Sequence, residues 1–208
     1  MKDRCKMACG WEEDAPPLTQ YEKKDIVVGD LLPWPPAVPE LPLVVVPEYA
    51  HPFLMTSKRK CLGAVLHCSA SKDSKAKNFD ALKKDHIKNR HWKDIGYHAV
   101  IEYVGENIQV LKGRDPNTDG AHAIGYNKTH LGICVVGDFD TCKPPAELWG
   151  KTLEVVKELS IFYGFSAENV LGHRETYEPR GVKISKTCPG KLWNMKKFRL
   201  ELARRLDA

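Results

Sequence analysis

Three side chains in this sequence are of the types that a zinc ion prefers: His67, His173 and Cys188. Two imidazoles and one thiolate are borderline-soft ligands, and three protein ligands leave one coordination position open for a reactant. The two histidines lie 106 positions apart, unlike the close ligand pairs of a zinc finger, so a folded scaffold has to bring these residues together. Among eight His and seven Cys, spacing alone does not single out this triplet, and the prediction depends on the surrounding residues.

Short segments around these residues follow one another in a characteristic order. They are Leu66–Ala70, Asp94–His98, Gly120–Asn127, Leu131–Gly137, Gly172–Arg174 and Lys186–Gly190. In this order the chain resembles the zinc-dependent N-acetylmuramoyl-L-alanine amidases of the phage-lysozyme and peptidoglycan-recognition-protein family. Each segment is short enough to arise by chance, but their common order makes the resemblance specific. The resemblance covers roughly residues 60–206.

The resemblance implies that one Zn²⁺ is bound by His67, His173 and Cys188. It also implies two catalytic residues: Tyr97, which faces the attacking water, and Lys186, which lies near the scissile carbonyl. Recognition proteins of this family that lack the cysteine generally lack hydrolysis, so Cys188 favours an enzyme. The cationic Lys186, two positions away, is further expected to favour the thiolate form of Cys188.

Five other residues are predicted to contact substrate. His122, Tyr126 and Asn127 lie on a Gly-rich loop that matches a groove-lining segment of the family. Arg114 and Arg174 are candidates for contacts with saccharide or peptide carboxylates, and an ordinary ion pair is the alternative for each. The site as a whole is therefore expected to be a groove that holds a muropeptide.

The reaction implied by the resemblance is hydrolysis of the amide that joins the lactyl group of N-acetylmuramic acid to L-alanine of the stem peptide. Peptidoglycan or its muropeptides would then be the partner. Two alternatives stay open: a peptidoglycan-binding module that does not cleave, and a cytosolic amidase that recycles muropeptides. The presence of all five ligand and catalytic candidates favours a phage or prophage endolysin.

The elements that must position these residues predict an α/β fold, with a central mixed β-sheet flanked by helices. The predicted strands cover 62–67, 97–104, 108–111, 131–136 and 170–171. The predicted helices cover 78–91, 146–163 and 191–206, the last with Leu192, Met195, Phe198, Leu202 and Leu206 facing inward. These assignments depend on alternating or helical spacing of apolar residues. The first and last of these strands would deliver His67 and His173 to one site. By contrast, His86 and His98 are predicted to be structural.

Residues 1–57 are predicted to be a Pro-rich N-terminal extension, and 58–208 a single amidase domain. Nine of the 14 prolines fall within the first 52 residues, where they oppose helices and strand ladders. The apolar run Leu41–Val46 nevertheless predicts that this arm packs on the domain, and an arm that is only tethered to the core is the alternative.

Charge is unevenly distributed along the chain, whose net charge is +5. Residues 1–60 carry 8 Lys or Arg and 9 Asp or Glu, whereas residues 61–208 carry 24 and 18. A basic catalytic half would favour approach to the polyanionic bacterial envelope, although an ordinary solvated surface is an equal alternative. The lack of a basic run interleaved with aromatic residues argues against nucleic acid as a partner.

Neither a membrane span nor a secretory signal is predicted. No apolar run reaches the roughly 18 residues that a span requires, and residues 1–14 lack the apolar stretch of a signal peptide. We therefore expect a monomer that is made in the cytoplasm and acts on the cell wall after release. In a reducing compartment the seven cysteines are expected to be free thiols or metal ligands.

Overall fold

The computed structural model describes residues 50–56, 58–71, 78–177, 181 and 186–208 of the chain. The prediction that Leu41–Val46 packs on the domain lies outside the described residues. Within them, no helix is both long and apolar enough to cross a membrane.

A mixed five-stranded sheet forms the centre of the described part of the chain. Its strands are β1 (Gly63–Cys68), β2 (Ala99–Val104), β3 (Asn107–Lys112), β4 (His130–Val135) and β5 (Val170–Gly172). Their spatial order is β3-β2-β4-β1-β5, in which only the β2–β3 hairpin is antiparallel. All six residues of the central strand β4 are buried, as the apolar run predicted. The α/β fold with a mixed sheet is thereby confirmed.

Three α-helices flank this sheet among the described residues: α1 (Phe79–Lys84), α2 (Ala146–Tyr163) and α3 (Met195–Leu206). The Asn78 side chain caps the start of α1 by accepting a hydrogen bond from the Ala81 N–H, as predicted. A π-helical turn, Asp85–Asn89, continues α1 over most of the predicted range. Gly164, in a left-handed conformation, ends α2 where the sequence predicted.

Alternation along the strands separates the two faces of the sheet. Ala64 and Leu66 of β1 face α2 and α3, where the larger apolar core is assembled. His67, one residue on, points to the other face and pairs in register with Cys134 of β4. Because Cys134 packs there with Tyr97, this second face brings the candidate site residues together.

The prediction for the last helix is wrong at its start. The helix α3 begins at Met195 rather than near residue 191, because the Asn194 side chain accepts a hydrogen bond from the Lys197 N–H and caps it there. Leu192 therefore lies outside the helix and is 40% exposed instead of facing inward. The fully buried Trp193 occupies the core at this point.

Residues just before the predicted domain boundary pack on the core. Leu54 is fully buried, and its carbonyl accepts a hydrogen bond from the Tyr163 hydroxyl of α2. His51 Nδ1 lies 3.0 Å from a carboxylate oxygen of Glu158, also on α2. Residues 50–56 thus belong to the folded unit, and the boundary at residue 57 stays a prediction.

Candidate metal centre

The structure brings His67, His173 and Cys188 together. Their ligand-type atoms all lie within 4.8 Å of one another. His67 Nδ1 is 3.8 Å from Cys188 Sγ, close to the separation of about 3.6 Å that tetrahedral Zn–N and Zn–S bonds would give. The donor set and its spacing therefore fit a zinc ion, with one position left for a reactant.

Two adjacent parallel strands deliver the histidines. His67 lies near the end of β1, and His173 follows directly after β5, which pairs with β1. Because the carboxyl ends of parallel strands meet at the same edge of a sheet, both imidazoles reach one site. Gly172 lets the cysteine loop approach, since a Cβ there would lie 2.9 Å from Cδ of Pro189.

The loop that carries Cys188 is held by Arg174. The Arg174 N–H donates to the Cys188 carbonyl at 2.8 Å. Its guanidinium donates to the carbonyls of three further loop residues, Thr187, Gly190 and Trp193. These bonds give Arg174 a positioning role, and a substrate contact for this residue stays a prediction.

Two of the predicted ligands, His67 and Cys188, have pKa values that are shifted in favour of their neutral forms. Burial, together with His122 and His173, lowers the pKa of His67 well below its ordinary value. A hydrogen bond with the Cys68 thiol, together with burial, raises the pKa of the Cys188 thiol. Lys186 is exposed, and its charge helps to lower the pKa of His67. Its expected effect on the Cys188 thiolate stays a prediction. A bound divalent cation would supply the missing positive charge.

Tyr97 lies against the cluster from the side of β2. Its ring centroid is 5.1 Å from that of His67. Burial raises the pKa of Tyr97 well above its ordinary value. The phenol therefore keeps its proton at neutral pH and can orient a water or an oxygen by hydrogen bonding.

Lys186 lies at the exposed rim of the cluster. Its Nζ is 5.6 Å from the ring centroid of Tyr177, and the Tyr177 hydroxyl is 3.0 Å from Nε2 of His173. This tyrosine was missed in the sequence, although its position four residues after His173 could have pointed to it. Glu175 was also missed; it accepts the Gly172 N–H at 2.7 Å and so fixes the backbone before His173.

The predicted groove loop lies partly beneath the site. His122 is buried, and its Nδ1 lies 3.2 Å from Nε2 of His67. The Asn127 side chain accepts hydrogen bonds from the His122 and Ala123 N–H groups. The ring of Tyr126 packs edge-on against the ring of His130, with 4.9 Å between the two ring centroids. The contacts of His122 and Asn127 are with the protein interior, and substrate contact for these three residues stays a prediction.

Arg114 lies in the loop after β3, where its guanidinium donates to the carbonyls of Ile95, Asp119 and Asp94. These bonds give it a structural role, and its predicted substrate contact is likewise untested. His98 accepts a hydrogen bond from the Gly132 N–H, in agreement with its predicted structural role.

A second group of possible ligands combines two residues of α2 with His51, which lies before the first described turn. His51, Glu154 and Glu158 also have their ligand-type atoms within 4.8 Å of one another. However, Lys151 Nζ lies 2.8 Å from both Glu154 carboxylate oxygens, and His51 bonds Glu158. These charges already have partners, so the His67 cluster is the better zinc site.

Comparison with known proteins identifies the family of this chain. The family described as N-acetylmuramoyl-L-alanine amidase matches residues 57–191, which is more than half of the chain. The chain belongs to this family. It is 31% identical over 107 residues to an endolysin of Klebsiella phage KP32, covering 51% of this chain and 68% of that protein. The family prediction is thus confirmed.

Two further matches define the extent of the similarity. The endolysin of Escherichia phage T7 is 40% identical over 75 residues, which span 36% of this chain and 47% of that endolysin. A solved structure, the endolysin amidase LysCS from Clostridium intestinale, superposes with a TM-score of 0.58 at 22% identity. It covers 69% of this chain and 84% of LysCS, and at that identity it supports the fold alone.

Proposed function

We propose that this protein is a zinc-dependent N-acetylmuramoyl-L-alanine amidase that degrades peptidoglycan. The bond cleaved is the amide between the lactyl group of N-acetylmuramic acid and L-alanine of the stem peptide. The observation that carries the proposal is the convergence of His67, His173 and Cys188 at one sheet edge, beside the buried Tyr97.

Each residue of the site has a distinct task in this reaction. His67, His173 and Cys188 would hold a Zn²⁺ ion, which when bound would polarise the substrate carbonyl and lower the pKa of water. Tyr97, which keeps its proton, orients the attacking water by hydrogen bonding. The Lys186 ammonium lies on the solvent side, where it stabilises negative charge as it develops on the carbonyl oxygen.

The substrate proposed is cell-wall peptidoglycan, because the chain is similar to phage endolysins. We further propose that the protein is made in the cytoplasm as a monomer and reaches the wall on release. The presence of Cys188 within the cluster favours an enzyme over a module that binds peptidoglycan without cleaving it. A muropeptide-recycling amidase would share the chemistry but not act on intact walls.

Zinc binding can be tested by elemental analysis. We expect about one Zn²⁺ per wild-type chain and loss of that zinc in Cys188→Ser. Cys142→Ser is the matched control, since this buried thiol donates to the Asp138 carbonyl rather than facing the cluster. Full zinc occupancy in Cys188→Ser would rule out this ligand set.

A further inference from the structure

The two ring nitrogens of His67 have different surroundings. Nδ1 faces the cluster, 3.8 Å from Cys188 Sγ, whereas Nε2 faces inward, 3.2 Å from Nδ1 of His122. A nitrogen binds a metal only through a free lone pair. His67 can therefore serve as a ligand only in the tautomer that carries its proton on Nε2.

The contacts of His122 select that tautomer. Its Nε2 lies 3.2 Å from the His130 carbonyl oxygen, which can only accept a hydrogen bond. Nε2 of His122 must therefore carry the proton, which leaves a lone pair on Nδ1 of the neutral ring. That lone pair in turn requires a donor, and the facing group is Nε2 of His67.

We propose that His122 is a positioning residue that fixes the tautomer of His67 and so presents the Nδ1 lone pair to the metal. Hydrogen bonds run in one direction, from His67 Nε2–H to His122 Nδ1, and from His122 Nε2–H to the His130 carbonyl. This inference deepens the proposed function and rests on it, because a tautomer preference matters at this site only if His67 binds a cation.

Two glycines pack closely against the ring of His122. A Cβ on Gly132 would lie 2.5 Å from Cγ and Cδ2 of His122, and a Cβ on Gly120 would also overlap the ring. Only glycine at both positions leaves this slot for an imidazole. The backbone is held as well, since the His122 N–H donates to the Asn127 side chain at 2.8 Å. The Gly-rich loop thus leaves a space that the His122 ring fills.

The choice of histidine has an electrostatic consequence. A metal-bound histidine commonly donates its second N–H to a carboxylate, a carbonyl or a water, which orients the ring and tunes the basicity of the ligand. A neutral imidazole supplies the orientation without adding negative charge to the buried site. The positive charge of a bound zinc ion is then offset by the Cys188 thiolate alone, which preserves its capacity to polarise a carbonyl.

The tautomer can be observed directly in the metal-free wild-type protein. Nitrogen-15 NMR of the histidine rings should show the His67 proton on Nε2 and none on Nδ1. Protonation of Nδ1, or a mixture of the two tautomers, would overturn the proposal. This measurement needs no variant and no bound metal, so it remains decisive even if zinc binding itself is disproved.

Two variants separate the two hydrogen bonds of His122. The side-chain oxygen of Asn in His122→Asn can take the place of Nδ1 and accept the hydrogen bond from His67. The side-chain amide of Gln in His122→Gln takes the place of Nε2, so this variant keeps only the hydrogen bond to the His130 carbonyl. With competition against a chromophoric chelator, we expect zinc affinity to fall 10- to 100-fold in His122→Gln, on the order of other outer-sphere losses. His122→Asn should recover most of that loss.

A buried histidine elsewhere provides the control. His51→Gln removes an imidazole that bonds Glu158 on α2, and it should bind zinc as tightly as the wild type does. Wild-type affinity in a folded His122→Gln variant would overturn the proposal, as would equal losses in the Asn and Gln variants. If the wild type bound no zinc, the proposed function would fail, while the NMR result would still decide the tautomer.

Discussion

At the scale of single residues, the pKa shifts of His67 and Cys188 favour neutral side chains before a metal binds. The imidazole of His67 is held in its neutral form, in which one ring nitrogen has a lone pair for a metal. The thiol of Cys188 keeps its proton and must release it on coordination. Zinc binding should therefore release a proton and strengthen as the pH rises.

Tyr97 and Lys186 should matter for the reaction without holding the metal. Tyr97→Phe removes the hydroxyl that orients the water, and Lys186→Ala removes a charge at the solvent side. Each should lower kcat by about 10²–10³, as for loss of one preorganised donor, while zinc content and thermal stability stay unchanged. Turbidity of a cell-wall suspension measures the rate.

The control for these variants is Lys191→Ala, a lysine of the same loop whose side chain is exposed. It should lyse walls at the wild-type rate. Wild-type lysis by Tyr97→Phe or Lys186→Ala would show that the assigned role is wrong.

Residue types and local motifs were enough to predict the three ligand candidates and Tyr97, because each occurs in a short segment with a family pattern. The sequence could not show that His122 lies under His67. That contact depends on the register of β4 and on two glycines that leave room for a ring. Likewise, the sequence does not distinguish an arginine that donates hydrogen bonds to backbone carbonyls from one that binds a substrate carboxylate.

At the scale of secondary-structure elements, the sheet positions two ligands and a loop positions the third. The histidines need two adjacent parallel strands. The apolar patterns predicted both strands, and the structure adds their parallel pairing. The start of α3 could not be predicted from spacing, because the cap at Asn194 decides it and the preceding residues are held by Arg174. The loop is thus the element whose geometry depends most on tertiary contacts.

Arg174→Lys tests the role of that loop. A lysine cannot reach the carbonyls of Thr187, Gly190 and Trp193 together, so the cysteine should be less well positioned. We expect zinc affinity to fall on the order of 10- to 100-fold, together with a loss of about 1–3 kcal/mol in the free energy of unfolding. Chelator competition and urea denaturation measure the two effects.

Arg114→Lys is the matched control, since this guanidinium also donates to three backbone carbonyls but lies away from the ligand loop. It should lose stability and retain its zinc affinity. If both variants bound zinc equally well, the loop would not depend on Arg174 for its geometry.

At the scale of the whole molecule, buried histidines link folding to pH. Burial lowers the pKa of His98 and of His130 to about 4, from the ordinary value of 6.5. Between those pH values the unfolded chain binds more protons than the folded one, so acid stabilises the unfolded state. The contribution of these groups to stability is complete above pH 6.5 and is lost as the pH falls towards 4.

We therefore expect the free energy of unfolding, measured with urea and a metal chelator, to fall from pH 7 to pH 4.5. Each histidine accounts for up to about 1.4 kcal/mol per pH unit in that window. His98→Gln, which cannot titrate, should show a shallower fall. An unchanged stability at pH 4.5, or the same slope in the variant, would contradict this linkage.

The central claim concerns the bond that the folded site cleaves. The most direct test is mass spectrometry of purified sacculi digested by the zinc-loaded protein. We predict stem peptides released with a free L-alanine amino group and glycan strands that retain the lactyl carboxylate, with neither product formed by Cys188→Ser. Intact sacculi, or cleavage within the glycan or between amino acids of the stem, would contradict the account.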